Sequence, residues 1–299
     1  MSRFLKSALT FLILACFAVT FTAPVQAAEN DNTEKSDAPI VVYGDALSDA
    51  QKQNTTKLLE IKDPEAVEAY TVTGEDIANY IDGNPNSNMF SSVKITREDE
   101  GKGIDINIVT PENITEVSNE MYANALLTAG VENASVDVAS PAQVTGTSAL
   151  TGIYKAYDAK GEELDKERME LANDELDVAT DLADKEGMNK EKVTELLTDI
   201  KQEIADKNPA TKEEVQEIVD QKLDDLEISL SDEDRQLLID LINKMRDLNI
   251  DFDKIEDQLG DIANKVKDLV NDDGFWNRVQ TFFSNMLDKI TGFFGAALY

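Results

Sequence analysis

Ser91-Ser92-Val93-Lys94 has the four-residue Ser-x-x-Lys spacing that, on a helix, sets a hydroxyl nucleophile beside an amine base for acyl transfer. Here the four residues run into a β-type segment instead of opening a helix, and neither Ser-Asp-Asn nor Lys-Thr-Gly, the companion triplets of that chemistry, occurs in the chain. Gly146-Thr147-Ser148-Ala149-Leu150 resembles a strained nucleophile turn but lacks its final glycine, so Ser148 reads as a helix N-cap. The chain has no histidine, and its single cysteine is Cys16, which removes the usual activators of a serine and the usual ligands of a transition metal. Oxygen-ligated calcium is the remaining inorganic option. Asp82-Gly83-Asn84-Pro85-Asn86-Ser87-Asn88 offers oxygens at alternate positions, yet its sixth residue is Ser87 instead of glycine and its twelfth is Val93 instead of glutamate. A run of Asx turns accounts for the same residues. With 60 Asp and Glu in the chain, carboxylate pairs arise by chance too often for spacing to select one. No catalytic residue, metal ligand or cofactor is assigned.

The elements that would carry any site fall into two stretches. Over residues 39–157 short β-type runs alternate with helical ones. Ile40 to Tyr43 is a β-branched and aromatic strand ended by Gly44, followed by a helix capped at Ser48 and running through Leu58 and Leu59. Ala69 to Thr73 is a second strand, Thr73 or Gly74 opens a short helix from Glu75 to Ile81, and Asp82-Gly83-Asn84-Pro85 breaks it. Ser92 to Arg97 and Ile104 to Val109 read as two strands joined in a hairpin by Glu98 to Gly103, with its charges and two glycines. A helix starting at Thr115 and stopped by Gly130 leads to a last strand, Ala134 to Val138. The resulting order, β-α-β-α-β-β-α-β, predicts an α+β fold, a small mixed sheet with helices on one face.

Residues 158–271 form an acidic, all-α helical region. A charged helix near Glu162 to Lys185 carries Leu164, Leu171, Val178 and Leu182 on one stripe and stops at Gly187. Three capped helices follow: Asn189 ahead of Val193, Leu196, Leu197 and Ile200; Thr211 with Glu214 as a capping box; and Ser231 with Asp234 ahead of Leu237, Leu238, Leu241, Met245 and Leu248. A further helix from Asp251 places Ile255, Leu259, Ile262, Val266 and Leu269 at helical spacing.

The two ends differ from everything between them. Residues 1–27 have the form of a secretory signal peptide: Arg3 and Lys6 ahead of an apolar run from Ala8 to Phe21, then Val25-Gln26-Ala27 as a cleavage site between Ala27 and Ala28. The apolar run is shorter than the roughly 18 residues of a spanning helix. Cys16 sits after Leu14-Ala15 in a frame like a lipoprotein box, but Phe17 to Phe21 stay apolar, so it reads as filler that leaves with the signal. Residues 28–38 are a polar, flexible leader. The whole chain carries a formal charge of −32, two units more negative once Arg3 and Lys6 depart, which repels nucleic acid and anionic polymers. At the other end, residues 275–299 hold an aromatic amphipathic helix. Phe275, Trp276, Val279, Phe282, Phe283, Met286, Ile290, Phe293 and Phe294 are assigned to membrane or partner contact, the chain's only tryptophan among them. Docking back onto the helical region would use the same face.

One long segment, ITEVSNEMYANALLTAGVENASVDVASPAQVTGTSALTGIYKAY over 114–157, together with IVVYGDALSDAQKQ and GKGIDINIVTPENIT before it, resembles the YpuA-like family of exported Firmicute proteins of unknown function. The resemblance extends over about 39–182. Thr147 departs from it where an acid is expected before Ser148. It implies a secreted or envelope-associated Gram-positive protein and carries no catalytic residues to these positions. The expected function is accordingly that of an exported, non-enzymatic cell-envelope or extracellular interaction protein. Its partner would be an unknown envelope protein or a membrane surface, with no nucleic acid bound. The alternatives are an oligomeric assembly module of the envelope and a His-independent hydrolase of cell-wall polymers working through Asp and Glu, which would need a deep cleft in 39–157 lined by two or more carboxylates.

Overall fold

The computed structural model describes residues 38–271. The cleavage pair Ala27 and Ala28 and the aromatic positions Phe275 to Phe294 lie outside the described residues.

Five strands form one sheet: β1 (Ile40–Gly44), β2 (Glu68–Val72), β3 (Ser92–Arg97), β4 (Ile104–Ile108) and β5 (Ala134–Ala139), in the spatial order β2-β1-β3-β5-β4. β3 runs antiparallel to both its neighbours, while β1 with β2 and β4 with β5 are parallel pairs. The element order and the α+β class are those the sequence predicts. The hairpin is not formed. β5 lies between β3 and β4, with Ile95 opposite Val136 on one side and Ile106 opposite the same Val136 on the other. The physical reason lies in the connecting segment. Instead of reversing the chain onto itself, Glu98 to Gly103 wraps the start of β5, the Glu98 N–H donating to the Asn133 carbonyl and the Ala134 N–H donating to the Gly103 carbonyl, 3.1 Å each. Gly101 and Gly103 take positive φ values there, +84° and +72°, which glycine adopts without a Cβ penalty.

Helices cover both faces, not the one face expected, because β1 buries apolar side chains on each side. α3 (Asn119–Ala129) and α4 (Ala149–Ala159) pack on the face formed by Ile40, Val42, Val93, Ile95, Val136 and Val138. Gly152 lets α4 approach closely, since a Cβ there would stand 3.3 Å from Val93. On the opposite face α1 (Asp49–Leu58) and the residues after it seal a smaller cluster of Val41, Tyr43, Leu59 and Ala139. α3 starts four residues later than the sequence suggests. Ile114 pairs with Val144 and, like Val117, is buried, so the segment ahead of the helix is held against the fold in non-helical form until Ser118 caps it through the Met121 N–H at 3.1 Å. α4 begins after Ser148 as expected, but that hydroxyl makes no capping bond. α2 (Gly74–Ile81) starts in a capping box of Thr73 and Asp76. The loop after it folds back so tightly that a Cβ on Gly74 would meet the Pro85 carbonyl oxygen at 2.1 Å.

The helical region consists of α5 (Lys166–Ala183), α6 (Lys190–Lys207), α7 (Lys212–Asp225), α8 (Asp232–Asp247) and α9 (Glu256–Asn271), the last entered through a short 3-10 turn at Asp253–Ile255. Asn189, Thr211 and Ser231 cap their helices as read, and Asp165 caps α5. Leu237 departs from its expected core stripe. It is 47% exposed, Leu238 taking the inward position beside it. α6 is the central member, packed on α5, α7, α9 and α3. One continuous hydrophobic cluster runs from Ile40 through Val266, so the sheet layer and the helical region share a core.

Candidate functional site

The densest polar cluster in the interior sits where α3 meets α5 and α6. Its members come from apolar stripes. On α5, Glu175 stands one helical turn beyond Leu171 and one before Ala179, the three sharing a face. On α6, Lys201 follows Leu197 by four residues and precedes Ile204 by three. α3 is buried along nearly its whole length, and Asn124 and Thr128, one turn apart, project from it into the same seam. Side-chain exposure is 0% for Lys201 and 1% for Glu175.

The ammonium nitrogen of Lys201 donates toward four oxygens: Glu175 Oε1 at 2.5 Å, Thr128 Oγ1 at 2.9 Å, the Asn124 carbonyl at 3.0 Å and Asn124 Oδ1 at 3.2 Å. Thr128 in turn donates to the second carboxylate oxygen, Glu175 Oε2, at 2.5 Å, and Asn124 Nδ2 donates to Thr198 Oγ1 at 2.7 Å. Arg168 closes the end of the seam, its Nε and Nη2 donating to the last-turn carbonyls of α3 at Thr128 and Leu127, 2.8 and 3.0 Å. Burial lowers the Lys201 pKa, against the opposing pull of the Glu175 charge. It also pushes the Tyr154 phenol up, with Glu175 adding to the shift, and that hydroxyl has no hydrogen-bond partner among the described residues. An ion pair taken this far out of water survives because nearly every donor and lone pair has a partner. Chemically, the seam juxtaposes an amine, a carboxylate and a carboxamide in a dry environment.

The motifs singled out in the sequence come to rest elsewhere. Ser92 and Lys94 lie on β3; Ser92 Oγ accepts from the Gly44 N–H, and Lys94 is committed to Asp137 at 2.6 Å and to the Leu59 carbonyl at 2.8 Å. The loop after α2 is built on Asn84 Oδ1, which accepts from the Asn86 N–H at 2.9 Å, an Asx turn. Among the described residues no cluster of three or more acidic, His or Cys side chains is arranged to hold a metal. A recess of about 800 Å³ opens where the C-terminal ends of α6 and α8 converge, lined by Asn208, Arg246, Asp247, Asp251 and Phe252, among others; it lies outside 39–157. Beside Tyr80 and Tyr154 a recess of about 150 Å³ carries Asp158, Glu162 and Glu163. That is below the roughly 300 Å³ at which ligand pockets begin. Two of its acids are occupied, Asp158 by the Tyr80 hydroxyl and Glu162 by Arg97. The buried seam itself escaped the sequence reading, although a glutamate and a lysine on apolar stripes were visible there.

Fold and seam together define an α+β protein with an appended helical layer, locked to its sheet by a buried charged network. The family model described as "Protein of unknown function (DUF1002)" matches residues 43–262, and the chain belongs to that family. It is 33% identical over 265 residues to the "Uncharacterized protein YpuA" of Bacillus subtilis (strain 168), covering 85% of this chain and 89% of the relative. No solved structure matches.

Proposed function

We propose that this is an exported, non-enzymatic interaction protein of the cell envelope, whose folded body is displayed by the aromatic segment at its C-terminal end. The observation that carries this reading is the completeness of the body's core. Among the described residues Leu237 is the one large apolar side chain left exposed. Ile255 of the 3-10 turn and the inward positions of α9, Leu259, Ile262 and Val266, are already buried. The described body therefore offers little exposed apolar area to receive the nine apolar residues assigned between Phe275 and Phe294. A lipid interface or a partner's groove suits them better, because an aromatic face with few charges gains most where it leaves water. The signal-like residues 1–27 and the acidic composition agree with export.

The test is fractionation of tagged full-length chain beside a chain ending at Asp273, in cells and on vesicles of zwitterionic lipid. The full chain is expected with the envelope and on vesicles, the shortened one in the medium with an unchanged melting temperature. A full chain found free in the medium, or a shortened chain that melts earlier with no change of partition, would overturn the proposal.

A further inference from the structure

We infer that Lys201 and Asn124 are the two ends of an intramolecular isopeptide bond, formed in the folded protein with Glu175 as the proton-transfer group. The reactants are in place. Lys201 Nζ lies 3.2 Å from Asn124 Oδ1, so the carboxamide carbon is one C=O bond from an atom the amine already touches, and Glu175 Oε1 stands 2.5 Å from the same nitrogen. Four oxygens compete for the three protons of the ammonium, and the carboxamide oxygen is the most distant of them. The lysine is thus held more tightly by the groups that position and deprotonate it than by the group it would attack.

The step balances without a co-reactant. Lys201 passes one proton to Glu175, and the neutral amine attacks Asn124 Cγ. The tetrahedral carbon then loses its Nδ2 group, which takes the proton from Glu175 and a second from the attacking nitrogen and departs as ammonium, leaving Glu175 as the carboxylate it began as. An Nζ–Cγ amide remains. Each requirement has a residue. Burial of Lys201 favours the neutral nucleophile. Thr128, donating to Glu175 Oε2 at 2.5 Å, fixes the carboxylate so that its other oxygen faces the amine. Thr198 Oγ1 holds Asn124 Nδ2 at 2.7 Å and orients the leaving group. Exclusion of water removes the competing hydrolysis of the carboxamide, and fixed geometry replaces a bimolecular encounter with an effective concentration far above any in solution. The bond would tie α3 to α6 across 77 residues of chain, replacing a buried ion pair with a neutral amide and covalently joining the sheet layer to the helical layer.

Intact-mass measurement of the purified full chain decides the matter. The expected mass is that of the processed sequence less one ammonia, and proteolysis should yield a branched peptide joining the segments that contain Asn124 and Lys201. Glu175→Gln and Lys201→Arg should restore the full sequence mass and abolish the branched peptide. A folded wild-type chain at full sequence mass, or one that loses ammonia with no branched peptide, overturns the inference; a gain matching simple deamidation does the same. The wild-type measurement suffices if either variant fails to fold.

Discussion

The two sides of α3 are built on opposite principles. Toward the sheet the contacts are dry and apolar, Ile95, Val136 and Ile106 from three adjacent strands lying among the fully or nearly fully buried side chains. Toward α5 and α6 the same helix meets Glu175, Lys201 and Thr198, held at fixed distances and in fixed directions. An apolar layer tolerates change in proportion to the volume altered, because its attraction has no direction. A buried charged network has no such proportionality, since removing one member strands the rest without water or partner. The molecule therefore sets the less forgiving kind of contact within the apolar core that its two layers share.

The sharpest way to break that contrast is Lys201→Met, which takes from the buried Glu175 carboxylate the lysine nitrogen that donates to it. A loss of about 3–5 kcal/mol is expected from urea unfolding. A smaller penalty should follow Thr198→Val, which leaves Asn124 Nδ2 without its acceptor and costs about 1–3 kcal/mol by the same measurement. On the sheet side Ile95→Val removes a single methylene and should cost about 0.5–1.5 kcal/mol. If the strand substitution proves as damaging as the lysine one, the two sides of α3 are not different in kind.

The smallest effect contrasts the outer face of α5 with its inner one. Asp177 is solvent-exposed, yet crowding by surrounding atoms and then by Asp174 and Asp181 pushes its carboxyl up to about 6. Because the folded value lies above the unfolded one, the folded protein holds that proton more tightly. The resulting penalty is full at neutral pH, shrinks as pH falls through about 6, and vanishes below the ordinary aspartate value of 3.8. Asp177→Asn should accordingly raise the melting temperature slightly at neutral pH and give no such gain below that value. An equal gain at both ends of the range would point to a cause other than charge.

Local chemistry was largely legible in the sequence. Helix starts at Ser48, Thr73, Asn189, Thr211 and Ser231 follow from side chains that satisfy backbone N–H groups a few residues on, and this needs no knowledge of the fold. Strand existence was equally plain, but strand neighbours were not. Alternation in β3 and β4 is satisfied as well by an intervening β5 as by direct pairing, and only the three-dimensional path of Glu98 to Gly103 distinguishes the two. The seam failed to show for a related reason. Glu175 and Lys201 each stand out on an apolar stripe, but their meeting with Asn124 depends on the packing register of three helices, and 60 acids obscured the one that mattered.

The placement of β5 also bears on the order in which the chain can become a protein. Among the described strands β4 pairs with β5 and no other, and β3 reaches β4 only through it. A growing chain that has emerged as far as Asn133 holds two strands with the partner between them still unmade. The pairings of β3 and β4 with β5 must wait for Ala134 to Ala139, whereas β1, β2 and β3 already hold one another's partners, so the β4 side of the sheet is the last to close.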